Sequence, residues 1–200
     1  MKRLSGLIVV LCVITAGQSY AANNKCVVGT EREAGSGRYT FYCDPIHPTT
    51  ANPKKLPAGQ IGLEAAAKDE SAGIGWCDTL CIVTGAADTE VGTGRANTNK
   101  IVETLSAGNY AAKICDDSKQ GGYNDWFLPS KDELNLMFLA NERTNAGNAQ
   151  PDKYYWSSSE ESISDGTSYL FAWAQKSSNG FQILDNKPYV GSPVRCIRVF

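Results

Sequence analysis

Six cysteines behind an export signal constrain this chain more than any other feature. They are Cys26, Cys43, Cys77, Cys81, Cys115 and Cys196; a seventh, Cys12, lies within the leader. An even number of cysteines in an exported chain reads as a disulfide framework. Six cysteines allow fifteen pairings. The expected set is Cys26–Cys43, Cys77–Cys81 and Cys115–Cys196, the last tying a helix to the final strand and closing a long loop. Each bridge contributes about 2–4 kcal/mol in the chain-entropy account. Zinc is the competing use of cysteine, and it wants paired short spacings, usually with histidine. The chain has one Cys-x-x-x-Cys and no histidine near it, so no metal is expected.

The leader spans residues 1–21. Lys2 and Arg3 are followed by a mostly apolar run from Leu4 to Ala16, and Ser19-Tyr20-Ala21 places small residues at the peptidase positions. That is the layout of a cleaved signal peptide. The run is too short to span a bilayer, which takes about 20 apolar residues. Loss of Lys2 and Arg3 moves the net charge from -2 to -4. A mildly acidic chain with no basic cluster is poorly suited to nucleic acid or to an anionic membrane. The expected address is exported: periplasm, cell surface or medium. Residues 22–200 suit one domain.

Local patterns suggest an α+β fold. Residues 26–43 look like a cysteine-bounded hairpin, with strand formers at Cys26-Val27-Val28 and Tyr39–Tyr42 and a turn at Gly35-Ser36-Gly37. Residues 44–60 hold four of the eight prolines and read as loop. Ile101, Val102 and Leu105 mark a helix from Asn97 to Leu105, with Thr98 or Asn99 as cap, and Tyr110 to Cys115 resumes a helical pattern. Ser130-Lys131-Asp132-Glu133 is a capping box, and Leu134, Met137 and Phe138 continue its helix on one stripe. Tyr154–Ser158, Ser168–Gln175, Gly180–Leu184 and Val194–Phe200 carry aromatic and β-branched residues suited to strands. Turns are expected at Asp165-Gly166, Asn179-Gly180 and Asp185-Asn186. The expected arrangement is two main helices packed on a twisted antiparallel sheet.

No catalytic constellation is legible. The single histidine, His47, lies between Pro45 and Pro48 and reads as a loop residue. Gly92-Thr93-Gly94 lacks the remaining residues of a nucleotide-binding loop. Asp116 opens an EF-hand-like run, but its twelfth position is Phe127, not glutamate. No cofactor is expected. Glu160, Glu161 and Asp165 fall in an expected loop between strands, where they suit a polar ligand. Trp126, Tyr155, Trp156, Trp173 and Phe181 are the aromatics available for sugar stacking. Trp126 and Trp156 read as core, while Trp173 serves either role. The candidate ligand residues are therefore Trp173, Glu160, Glu161, Asp165, Asp185 and Asn186.

Several segments together resemble one bacterial family. The most specific are Asp125-Trp126-Phe127-Leu128-Pro129-Ser130 with Asp132-Glu133-Leu134, and Tyr155-Trp156-Ser157-Ser158-Ser159-Glu160. Others are Gly62-Leu63, Gly92-Thr93-Gly94, Tyr110-Ala111-Ala112-Lys113, Lys187 and Val194-Arg195-Cys196-Ile197-Arg198. Residues 61–200 are similar to the domain-of-unknown-function family typified by the C-terminal domain of the Legionella collagen-like adhesin. The resemblance implies a C-type-lectin-like fold in exported or surface proteins. It implies a scaffold role for Trp126, Leu128, Pro129, Ser130, Glu133 and Trp156, and acidic partners for Arg195 and Arg198. The typifying adhesin is associated with sulfated polysaccharides, but the acidic mature charge here argues against the same preference. The resemblance carries no catalytic residue.

The expected function is a non-enzymatic recognition or adhesion domain, with a glycan or a surface protein as partner. One alternative is a structural subunit of an envelope or appendage assembly. Another is an enzyme related to formylglycine-generating proteins, which would require an unpaired reactive cysteine.

Overall fold

The structure is a computed structural model, and it describes residues 26–31, 33–43, 56, 60–78, 81–144, 147–161 and 170–200. The leader, His47, Asp165 and nearly all of the proline-rich segment lie outside the described residues.

The domain is α+β, with helices on antiparallel strands. In chain order the elements are β1 (Tyr39–Cys43), β2 (Gly62–Ala65), β3 (Ser71–Ile74), α1 (Gly94–Leu105), α2 (Ala111–Asp116), α3 (Lys131–Thr144), β4 (Tyr154–Glu160), β5 (Phe171–Lys176), β6 (Gln182–Asn186), β7 (Ser192–Val194) and β8 (Ile197–Val199). The strands form three small sheets rather than one: β1-β2-β8, β3-β7 and β4-β5-β6. The expected closing strand, Val194–Phe200, is divided at Arg195-Cys196. That break lets β7 pair with β3 and β8 pair with β2.

All six cysteines among the described residues are paired, as Cys26–Cys43, Cys77–Cys81 and Cys115–Cys196. The third bridge joins α2 to the junction of β7 and β8, and both its cysteines are fully buried. Two apolar clusters fill the interior. One gathers Trp76, Ile101, Tyr110, Trp126, Leu128 and Trp156 around this bridge. The other holds Tyr39, Phe41, Leu63, Phe127, Leu134 and Ile197 beneath α3. The buried indoles find acceptors, as buried tryptophans require. Trp76 Nε1 donates to Ser157 O at 2.8 Å, and Trp156 Nε1 donates to Ile74 O at 2.8 Å.

The capping box forms as read. Glu133 N donates to Ser130 Oγ at 3.3 Å, and Ser130 N donates to Glu133 Oε2 at 2.8 Å. Helix α1 begins earlier than expected, with Thr93 rather than Thr98 or Asn99 at its N-cap. Thr98 lies inside the helix, where its hydroxyl bonds both the amide and the carbonyl of Leu128. The segment after Cys26 turns at Val28-Gly29 instead of extending, and pairing with Tyr39 starts at Glu31. Asp185-Asn186 does not form a turn; both residues end β6, and the chain turns after them.

Candidate functional site

Strand β5 gives the sheet β4-β5-β6 two unlike faces, because successive side chains alternate. Ala172 and Ala174 point into the first cluster. Phe171, Trp173 and Gln175 point the other way, and register places Asn186, Leu184 and Gln182 beside them. Helix α3 covers only part of this outer face. Gln175 Nε2 donates to Asn135 Oδ1 at 2.8 Å, and Gln182 Nε2 donates to Lys131 O at 3.1 Å. Trp173, Phe171 and Leu184 are left half-buried, and Asn186 is exposed. The Lys131 ammonium sits 4.7 Å from the centre of the Trp173 ring, a cation–π contact that holds the indole plane. The other three tryptophans are at most 2% exposed. Trp126 and Trp156 are thus core, as is Tyr155, while Phe181 is 60% exposed.

The predicted ligand residues do not converge. Trp173 and Asn186 share the outer face. Asp185 pairs with Ala172 and belongs to the inner face. Glu160 and Glu161 are not in a loop: Glu160 is the last residue of β4, and both are buried. The reason is a dense set of interior donors. Glu160 Oε1 accepts from the amides of Thr84 at 3.0 Å, Gly85 at 2.5 Å and Ala86 at 3.0 Å. Glu160 Oε2 accepts from Lys187 Nζ at 2.7 Å, in an ion pair buried on both sides. The Lys187 ammonium also lies 4.5 Å from the Trp76 ring centre. Burial pulls the lysine below its ordinary pKa, against the opposing pull of Glu160. Asp165 lies outside the described residues.

A third feature escaped sequence reasoning. A small cleft of about 30 Å³ lies between α3 and β5, lined by Leu134, Met137 and Phe138 together with Tyr39, Tyr155 and Arg195. Arg195 Nε donates to Asp69 Oδ1 at 2.6 Å, and Nη1 donates to Gly147 O at 2.6 Å. Tyr155 Oη donates to Asp69 Oδ2 at 2.9 Å. Burial pushes the Tyr39 hydroxyl up to about 12 and raises Tyr155 as well. With its guanidinium occupied, Arg195 is a structural hub rather than an anion receptor. Arg198 likewise pairs with Asp125 and Glu64.

Glu133 serves two segments. Besides capping α3 it accepts from Gly92 N at 2.8 Å, fixing the loop that leads into α1. Full burial pushes its carboxyl up to about 7, while the backbone donors hold it from rising further.

Among the described residues no group of three or more His, Cys, Asp or Glu is placed to hold a metal ion. No described helix is long and apolar enough to cross a membrane. No protein-family model matches the chain, and no curated protein does.

Proposed function

We propose that this chain is an exported, non-enzymatic recognition domain with a C-type-lectin-like fold, and that it binds glycans on the outer face of β5. The observation that carries the reading is Trp173. It is partly exposed and braced by Lys131, whereas the other tryptophans are buried. A braced indole offers a flat apolar surface to the C–H face of a sugar ring, at little entropic cost. Asn186, on the same face, brings an amide able to donate to and accept from hydroxyl groups. The resemblance of residues 61–200 to an adhesin domain supports the same reading.

The cysteines bear on the alternatives. Three bridges fit an oxidising compartment outside the cytoplasm. They also leave none of the six mature cysteines as a thiol for formylglycine-type chemistry.

The test is retention of the mature protein on a panel of immobilised neutral and acidic polysaccharides. Trp173→Ala should weaken retention about tenfold, equivalent to about 1.4 kcal/mol, measured at a temperature where both proteins are fully folded. Equal retention of wild type and variant on every polysaccharide would overturn the assignment.

A further inference from the structure

The buried pair of Lys187 and Glu160 has the makings of a covalent bond. Side chains of this kind are almost never fully buried unless paired, and a buried ion pair is costly to maintain. Here Lys187 is 0% and Glu160 1% exposed, with Nζ 2.7 Å from Oε2. We propose that these two side chains condense to an amide, with Lys187 Nζ bonded to the Glu160 side-chain carbonyl carbon and one water released.

Three features of the site favour that step. The first is the nucleophile. An amine attacks only when neutral, and burial lowers the proton affinity of Lys187 toward that form. The second is charge stabilisation. The amides of Thr84, Gly85 and Ala86 all point at Glu160 Oε1. They are placed to hold the oxyanion that develops when Nζ adds to the carboxyl carbon, which is the work of an oxyanion hole. The third is position. Lys187 is fixed at its backbone, where Lys187 N donates to Leu170 O and Trp76 N donates to Lys187 O, each at 2.8 Å. At its tip it is fixed by the Trp76 ring and by Ile82 O at 3.4 Å. Reacting groups held at contact distance react as though highly concentrated.

The protons balance without any oxidant, reductant or further reactant. The ammonium and carboxylate together contain the atoms of an amide and one water. Nζ gives up two protons and keeps one; Oε2 takes both and leaves as water when its bond to carbon breaks. The first proton passes along the existing Nζ–Oε2 hydrogen bond. The second passes to the same oxygen as its bond to carbon breaks, and Glu161 is a further carboxylate near the pair. It follows Glu160 in the chain, is 6% exposed, and its Oε2 has no hydrogen-bond partner among the described residues. Its charge is felt at Lys187. The product would join the end of β4 to the segment between β6 and β7, independently of the three disulfides and of the glycan reading.

The experiment is the intact mass of the exported, mature protein after full reduction and denaturation. A loss of about 18 Da, one water, relative to the sequence is expected, and fragmentation should place the branch at Lys187 and Glu160. Lys187→Arg keeps the charge but cannot form this amide, so its mass should equal that of its sequence. Should that variant fail to fold, the wild-type mass and fragment spectrum still decide. A wild-type mass equal to the sequence overturns the proposal. So does a branch or dehydration mapped elsewhere, or an 18 Da loss that persists in Lys187→Arg.

Discussion

Removing the disulfides one at a time should destabilise the domain in the order of the loops they close. The sequence separations are 81 for Cys115–Cys196, 17 for Cys26–Cys43 and 4 for Cys77–Cys81. Loop-closure entropy then gives about 4.5, 3 and 2 kcal/mol at 25 °C. Burial sharpens the first value. Cys115 and Cys196 are fully buried within the larger apolar cluster, so a paired Cys→Ala replacement also leaves a small void. The assay is urea denaturation of the three double-alanine variants, read as free energies from midpoint and slope. A change in slope would show that the unfolded state had expanded, as the entropic account requires. The reasoning fails if Cys77→Ala/Cys81→Ala proves the most damaging. That outcome would mean that this bridge acts by holding the nearby loop, whose Thr84, Gly85 and Ala86 amides serve Glu160.

Trp126 is 2% exposed and donates Nε1 to Gln120 O at 3.0 Å, so Trp126→Ala should cost about 3–5 kcal/mol in the same denaturation assay. Glu133 should make stability depend on pH. Its folded pKa of about 7 lies above the ordinary 4.5, so the folded state holds a proton that the unfolded chain has released between those values. The stability due to this proton is complete below about pH 4.5 and is lost as pH rises through about 7. The advantage of wild type over Glu133→Gln should therefore shrink across that window, by about 3 kcal/mol at most; a gap that is constant or widens with pH refutes the assignment.

What the sequence disclosed was local. Ser130 and Glu133 are three residues apart, and their reciprocal bonds follow from helix geometry alone. The second duty of Glu133, holding Gly92, spans 41 residues and leaves no local trace. Glu160 was misplaced for the same reason. Tyr154–Glu160 is a strand whose polar end is buried, because the segment from Thr84 to Asp88 supplies its partners. Hydrophobic alternation cannot announce a strand of that kind. Strand β3, Ser-Ala-Gly-Ile, carries too little pattern to be seen without its partner β7. Lys187 entered the sequence reading only as part of the resemblance, and nothing local announces that Trp76 and Glu160 close around it. Trp173 was legible as part of a strand, but whether a helix would cover its face depended on where α3 begins, since Lys131 at that end is the residue that reaches it.

The segment from Ser192 to Val199 engages partners from much earlier in the chain: β7 with β3, β8 with β2, Arg195 with Asp69 and Cys196 with Cys115. Two of the three sheets and the bridge to Cys115 are therefore incomplete until this segment is present, whereas the sheet β4-β5-β6 needs nothing from it. Slow, late closure is what contacts of such long range impose. This short segment thus fastens β2, β3 and α2 together, and in a chain made from its N-terminus it arrives after every partner it holds.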